Sequence, residues 1–340
     1  MFSQAPAFWS KPDWRVAALS PVALVYGAVA RRRLVTAARR QVELPVLCVG
    51  NFTVGGSGKT PVVIALALEA GRMGLKPGIL SRGHGGRARK PLLVEPERDG
   101  AELVGDEPLL LARHAPVAVT PDRTAGARLL EEQGCDFVIM DDGFQSAHIH
   151  MDFALLVVDA AHGVGNGRVL PAGPLRAQIV DQLRYADAVL RLGDGHAADE
   201  VVRAASRAGR PVYDAALAPR TPDRFAGKRV LAFAGIGHPE KFFVTLRGIG
   251  ADIVEARSFP DHHAFKEEEI RDLLTTARDQ GLALVTTSKD AVRLGEGPAS
   301  VEIRQVLEVV EVEVDFASSE TPRRIISQTL EAWRRRKSSL

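Results

Sequence analysis

Val46-Leu47-Cys48-Val49-Gly50-Asn51-Phe52-Thr53-Val54-Gly55-Gly56-Ser57-Gly58-Lys59-Thr60 decides the fold. A short apolar run enters a glycine-rich loop, and Val62, Val63, Leu66, Ala67 and Ala70 follow at helical spacing. Strand, glycine loop and helix in that order is the setting a phosphate-binding loop requires. Glycines let the backbone curl so that several N–H groups face phosphate oxygens, and the helix start adds partial positive charge. Thr53 to Thr60 is therefore the expected nucleotide loop: Thr53, Val54, Gly55, Gly56, Ser57, Gly58, Lys59 and Thr60. Lys59 would reach the β- and γ-phosphates of ATP, and the Thr60 hydroxyl would bind Mg²⁺. The general pattern places a glycine five residues before Gly58, where this chain has Thr53. The bland alternative is a strand–helix turn with a chance Gly-Lys-Thr.

The 340 residues allow two domains on length alone. Apolar content of 46% and charged content of 25% are those of an ordinary globular chain. With 44 basic and 42 acidic residues the net charge of +2 gives no general attraction to nucleic acid. The basic residues cluster near the ends, at Arg31-Arg32-Arg33, Arg39-Arg40 and Arg334-Arg335-Arg336-Lys337, and all three tryptophans (Trp9, Trp14, Trp333) lie there too. Cys48 and Cys135 both fall in apolar runs. Two such cysteines build neither a disulfide framework nor a zinc site, and a reducing compartment is expected.

Ser20-Pro21 reads as an N-cap and first helical residue, with a helix running to about Arg40, apolar in its first half and basic in its second. The apolar run from Val16 to Ala30 is short for a membrane span. Ala28-Val29-Ala30 resembles a signal-peptide cleavage site, but the three arginines that follow argue against export. A helix lying on an anionic membrane surface, with Trp9 and Trp14 at headgroup level, fits better than a plain core helix.

Beyond the loop, Gly78-Ile79-Leu80, Val117-Ala118-Val119, Cys135 to Met140 and Phe153 to Val158 read as buried strands separated by helical patterns, which indicates a mostly parallel sheet covered on both faces. Residues 160–176, rich in glycine and proline, read as a long functional loop. From about residue 222 the pattern restarts with strands at Arg229 to Ala234, Leu282 to Thr286 and Ile303 to Val314, a second and smaller α/β domain. A last helix is expected over about Glu320 to Lys337.

Acidic residues at strand or helix ends are the chemical candidates. Asp141 and Asp142 close a strongly apolar strand, where phosphate-loop folds hold Mg²⁺ directly or through water. Asp106 and Glu107 stand between Gly105 and Pro108 at a helix start. Phosphoryl transfer to an alcohol wants a carboxylate to take or orient the hydroxyl proton, and spacing alone does not choose between them. His262 follows Asp261 in the second domain, where a loop histidine by itself says little. No zinc motif is present.

With these motifs assembled, the chain resembles the tetraacyldisaccharide 4′-kinases of lipid A biosynthesis. The resemblance spans nearly the whole chain. It rests on Pro6-Ala7-Phe8-Trp9, Val49 to Pro61, Ser81-Arg82-Gly83, Gly105-Asp106-Glu107-Pro108, Asp141-Asp142-Gly143-Phe144-Gln145, Phe259-Pro260-Asp261-His262-His263 and Ser288-Lys289-Asp290-Ala291-Val292. Thr53 is normal in this family, whereas His84 and Ser146 depart from its usual residues. The resemblance implies a P-loop kinase fold, with a membrane-surface segment (1–45), a kinase domain (46–220), a smaller α/β domain closing over the site (221–315) and a C-terminal helix packing back on the first domain (316–340). It implies transfer of the ATP γ-phosphate, with Mg²⁺, to the 4′-hydroxyl of a tetraacylated glucosamine disaccharide 1-phosphate, giving lipid IVA. Asp106 would be the catalytic base and His262 its partner. Thr60, Glu107, Asp141 and Asp142 would form the metal shell, and Asn51, Ser81, Arg82 and Arg123 would meet the lipid substrate. A monomer bound peripherally to the cytoplasmic face of the bacterial inner membrane, with no nucleic-acid partner, is expected. The competing reading is a membrane-associated partitioning ATPase. Those ATPases carry a lysine just before Gly-Gly, and Val54 stands there.

Overall fold

The computed structural model describes residues 6–56, 58–146 and 148–339. Strand β1 (Val46–Asn51) is buried at every position, as the centre of a sheet covered on both faces should be. It belongs to a nine-stranded sheet with β2 (Pro77–Ser81), β3 (Leu92–Leu93), β4 (Val117–Val119), β5 (Phe137–Asp141), β6 (Phe153–Asp159), β7 (Ala188–Leu192), β8 (Val212–Pro219) and a late strand, Val312–Phe316. β1 lies between β5 and β6, parallel to both. Only the two outermost pairings, β3 with β4 and Val312–Phe316 with β8, are antiparallel. Helices Lys59–Arg72 and Thr321–Ser338 pack on one face, and helices Arg123–Glu132, Ile179–Tyr185 and Asp199–Arg207 pack on the other. This is the mixed α/β class expected from the sequence.

A second sheet contains β9 (Arg229–Ala234), β10 (Asp252–Ser258), β11 (Ala283–Thr287) and β12 (Leu307–Val310) in the order β10-β9-β11-β12, all parallel. Helix Pro239–Gly248 covers one face, and helices Glu267–Gln280 and Pro298–Val306 cover the other. The segment read as one strand from Ile303 to Val314 is three elements. Gly297-Pro298 starts a helix that buries Ala299, Ser300 and Ile303. Leu307–Val310 then joins the second sheet, and β13 (Val312–Phe316) crosses back to pair with β8 in the first. A run of β-branched residues signals strand but not which sheet takes it, and proline at a helix start was the signal for the turn before it. The crossing point is fixed by Arg220, whose N–H donates to the Glu311 carbonyl at 2.9 Å.

The N-terminal helix also differs from its expected start. It spans Trp14–Thr36, capped by Asp13, whose carboxylate accepts the Arg15 N–H at 2.9 Å. Ser20 does not cap, because its hydroxyl donates to the Val16 carbonyl one turn back, and Pro21 lies inside the helix. Ala23, Gly27 and Leu34 are buried, while Trp14, Val22, Leu24, Val25 and Val29 are exposed. Apolar and basic residues are thus separated along the helix rather than around it. Among the described residues no helix is long and apolar enough to cross a membrane.

Helix Thr321–Ser338 buries Ile325 and Ile326. Near its end Arg336 pairs with the enclosed Asp152 at 2.8 Å, and Trp333 Nε1 donates to the Glu43 carbonyl at 2.7 Å. These contacts join the end of the chain to the segment that leads into β1.

Candidate active site

The register of β1 against β5 sets Val49 opposite Asp141. The glycine loop and the Asp141-Asp142 pair therefore emerge side by side. Asp142 turns the chain with a left-handed φ of 50°, and its N–H donates to the Val49 carbonyl at 3.0 Å. Gly58 takes φ 75°, and a Cβ there would meet Leu192 Cδ2 at 2.5 Å, so only glycine serves. Lys59 starts the helix behind it, and its Nζ lies 3.6 Å from Asp142 Oδ1.

The 160–176 loop splints the glycine loop. Arg176 donates from Nε to the Thr53 carbonyl at 3.0 Å, from Nη1 to Gln145 Oε1 at 3.3 Å and from Nη2 to Asp142 Oδ2 at 2.9 Å. The Val54 N–H donates to the Pro174 carbonyl, and Gln145 Nε2 donates to the Asn51 carbonyl. These contacts hold the loop from outside the nucleotide side, which lowers the ordering cost of binding. Ser57, one of the expected nucleotide residues, lies outside the described residues.

Gly105, with φ 91°, sits where a Cβ would be 2.7 Å from the His84 carbonyl oxygen, and it launches the short helix Asp106–Leu111 toward the glycine loop. Glu107 Oε1 accepts the Thr60 hydroxyl at 3.3 Å and Lys289 Nζ at 2.5 Å. Burial opposes its charge, but Lys289 and Lys59 outweigh burial and hold the carboxyl below its usual range. Asp141 goes the other way. Burial, with Glu107 beside it, pushes its carboxyl up to about 7. Asp142 is held low by Lys59 and Arg176 against its burial.

Asp106 is 6% exposed. Its Oδ2 accepts Arg293 Nε at 2.9 Å, Arg293 Nη2 and His262 Nδ1 at 3.1 Å, and Oδ1 accepts the Glu107 N–H at 3.0 Å. Despite its burial, the His262 hydrogen bond and the Arg293 charge hold Asp106 well below the usual carboxylate range. The same hydrogen bond raises His262. His262 sits at φ 59° in the loop after β10, and its N–H donates to Asp261 Oδ1 at 3.0 Å. His263 turns away to Glu269, at 2.8 Å.

The residues expected around the metal fit Mg²⁺. Their donors are hydroxyl and carboxylate oxygens, which Mg²⁺ prefers, and it takes one or two carboxylates with water and phosphate completing the shell. Asp142 Oδ1 is buried without a hydrogen-bond partner, and a cation would relieve the raised Asp141. Among the described residues no three acidic, histidine or cysteine side chains already form a cage.

The four residues expected at the lipid are placed less uniformly. Arg82 is exposed, while Asn51 and Ser81 are buried at the ends of β1 and β2. Asn51 Nδ2 donates to the Gly55 carbonyl at 3.3 Å. Arg123 is enclosed, with Nη1 and Nη2 each 3.4 Å from the carbonyl oxygens of Leu80 and Asp141. Arg176 and Arg293 were not singled out from the sequence, and Lys289 stood there only within the Ser288 to Val292 motif, with no role assigned. Lys289 and Arg293 are one helical turn apart and face two adjacent acids, a spacing that sequence shows but whose partners only the fold supplies.

A family profile described as tetraacyldisaccharide-1-P 4′-kinase matches residues 15–331. The chain is 59% identical over 339 residues to a tetraacyldisaccharide 4′-kinase of Mesorhizobium japonicum, covering 99% of each. It is 54% identical over 338 residues to one of Brucella ovis, again covering 99% of each. A crystal structure of LpxK from Aquifex aeolicus in complex with ATP superposes with a TM-score of 0.72 at 26% identity, covering 92% of this chain and 99% of that one.

Lys59→Ala tests the loop directly. A charge-assisted contact to phosphate is worth roughly 1.5–3 kcal/mol, so affinity for a fluorescent ATP analogue should fall by about 10-fold or more. Lys59 also offsets the charge of the enclosed Glu107 and Asp142, so the affinity is read on protein shown to be folded by its cooperative thermal transition. Unchanged nucleotide affinity would remove the loop from the site.

Proposed function

The chain belongs to the tetraacyldisaccharide 4′-kinase family, and from that premise we propose that Asp106 and His262 perform its chemistry across the cleft between the two sheets. The protein is an ATP-dependent phosphotransferase of lipid A biosynthesis, acting on the 4′-hydroxyl of a tetraacylated disaccharide 1-phosphate. The observation that carries the site assignment is the 3.1 Å approach of His262 Nδ1 to Asp106 Oδ2 beside a phosphate loop.

An alcohol is a poor nucleophile at neutral pH. Asp106 Oδ1 takes the proton of the acceptor hydroxyl as the new P–O bond forms and the bond to the leaving ADP oxygen breaks. In a loose transition state the proton moves late, so a carboxylate of low basicity suffices to orient and then receive it. His262 holds that carboxylate in place and completes the site only when the second domain meets the first. Lys59 and the loop N–H groups hold the phosphates. Thr60, Glu107, Asp141 and Asp142 would hold Mg²⁺, which when bound neutralises phosphate charge. Glu107, now held by Lys289, would then be shared with the cation.

The exposed apolar face of helix Trp14–Thr36, followed by Arg31, Arg32 and Arg33, is suited to an anionic membrane surface. Trp14 is 76% exposed there, whereas Trp9 donates from Nε1 to the Pro171 carbonyl and belongs to the 160–176 loop. A lipid acceptor and a need for ATP support a peripheral position on the cytoplasmic face of the inner membrane.

Asp106→Ala and His262→Ala should each lower kcat by about 10²–10⁴-fold with ATP affinity nearly unchanged. The double variant should be little worse than the worse single one, because residues acting as a unit are non-additive. ATP consumption should require the disaccharide acceptor. Wild-type kcat in either variant, or turnover indifferent to acceptor, would sink the assignment.

For the membrane face, Leu24→Glu with Val25→Glu places two charges on side chains 71% and 67% exposed. The protein should move from the membrane pellet to the supernatant with its thermal midpoint kept. High salt should do part of the same, since each basic residue contributes about 1 kcal/mol near an anionic surface and salt screens it. A double variant that pellets like the wild type would make this an ordinary surface helix.

A further inference from the structure

We propose that Arg293 is a positioning residue for the reaction: its guanidinium, brought in by the second domain, fixes the Asp106 carboxylate so that Oδ1 faces the acceptor hydroxyl. This rests on the reading of Asp106 as the group that receives the hydroxyl proton.

The geometry of the carboxylate is asymmetric. Oδ2 accepts Arg293 Nε at 2.9 Å, Arg293 Nη2 and His262 Nδ1 at 3.1 Å, whereas Oδ1 accepts only the adjacent Glu107 N–H at 3.0 Å. Three donors saturate Oδ2, so Oδ1 is the oxygen with acceptor capacity to spare. A guanidinium is a rigid planar fork, and two of its donors converging on Oδ2, with His262 on the same atom and the Glu107 N–H on Oδ1, hold the carboxylate by both oxygens.

Arg293 is itself immobilised. Its side chain is 5% exposed. Nη1 donates to Asp290 Oδ1 at 3.0 Å and to the Gly235 carbonyl at 2.5 Å. Asp290 in turn accepts the Gly235 N–H at 3.1 Å and the Thr287 hydroxyl at 2.7 Å. The chain Thr287–Asp290–Arg293–Asp106 therefore runs from the end of β11 to the catalytic carboxylate with each member held by its neighbour. A buried ion pair is a poor way to gain stability alone, because desolvation offsets much of the attraction. It is a good way to hold one group in one orientation.

His262 is a weaker clamp. Half of its side chain is exposed, and it offers one contact from a loop. Arg293 supplies the rigid part, and closure of the second domain delivers both together.

The test is a mutant cycle in kcat at saturating ATP and disaccharide acceptor. Arg293→Gln should lower kcat by about 10²-fold, the loss expected when a reacting group is misplaced by an ångström. Arg293→Lys keeps the charge without the fork and should recover part of that loss. KM for ATP should not move, since Arg293 makes no contact with the phosphate loop. In an Asp106→Ala background, Arg293→Gln should cost less than about 3-fold more, because it acts through a carboxylate no longer present. The same proportional loss in both backgrounds, or full activity of Arg293→Gln, overturns the proposal. If Arg293→Gln does not fold, Arg293→Lys carries the same cycle. Wild-type turnover by Asp106→Ala would defeat the underlying reading instead. An inactive Asp106→Ala beside fully active Arg293 variants would defeat this proposal alone.

Discussion

A carboxylate enclosed as far as Asp106 must be matched by donors, and here every side-chain donor comes from the other sheet. Gly105 sends Asp106 into the cleft from the first sheet, and Arg293 and His262 meet it from the second. Lys289 meets Glu107 in the same way. The first sheet thus carries two acids that would be costly to bury alone, and the second carries the cations that make burial tolerable. The pairing does two things at once. It joins the two sheets at their facing ends, and it takes the side-chain partners of both acids from the second.

The phosphate side of the cleft follows a different rule. There the constraint is backbone geometry: a central strand whose end is level with Asp141, a glycine at Gly58 that no other residue could replace, and an outer splint through Arg176. The two halves meet at Glu107, which touches Thr60 on one side and Lys289 on the other.

Much of the fold was legible in the sequence, because its strands are continuous apolar runs and its nucleotide loop has its own composition. The segment from Ile303 to Val314 was not, since β-branched residues give strand propensity without saying which sheet will take them. The start of the first helix was misplaced for a related reason. Ser20-Pro21 has the chemistry of a cap, but Asp13 caps about two turns earlier and the helix continues through Pro21, where the Ser20 hydroxyl donates back to the Val16 carbonyl. At the site, the acids could be named from motif and spacing. His262 could be named as the partner of Asp106 through the family resemblance, but the arginines could not. Arg293 lies 187 residues from Asp106 and Arg176 lies 34 from Asp142, and nothing in one-dimensional spacing links them. Glycines and acids advertise themselves; the arginines that orient them look like any other arginine.

Catalysis depends on the contact between the two sheets at Asp106, and the imidazole proton of His262 reports on it most directly. In the nucleotide-free protein, a His262 Nδ1–H donating to Asp106 should give a proton resonance well downfield of the amides. It should vanish in Asp106→Ala and persist in Lys59→Ala. If the resonance is absent from the wild type, or survives the loss of Asp106, the domains do not meet through this pair and the account fails.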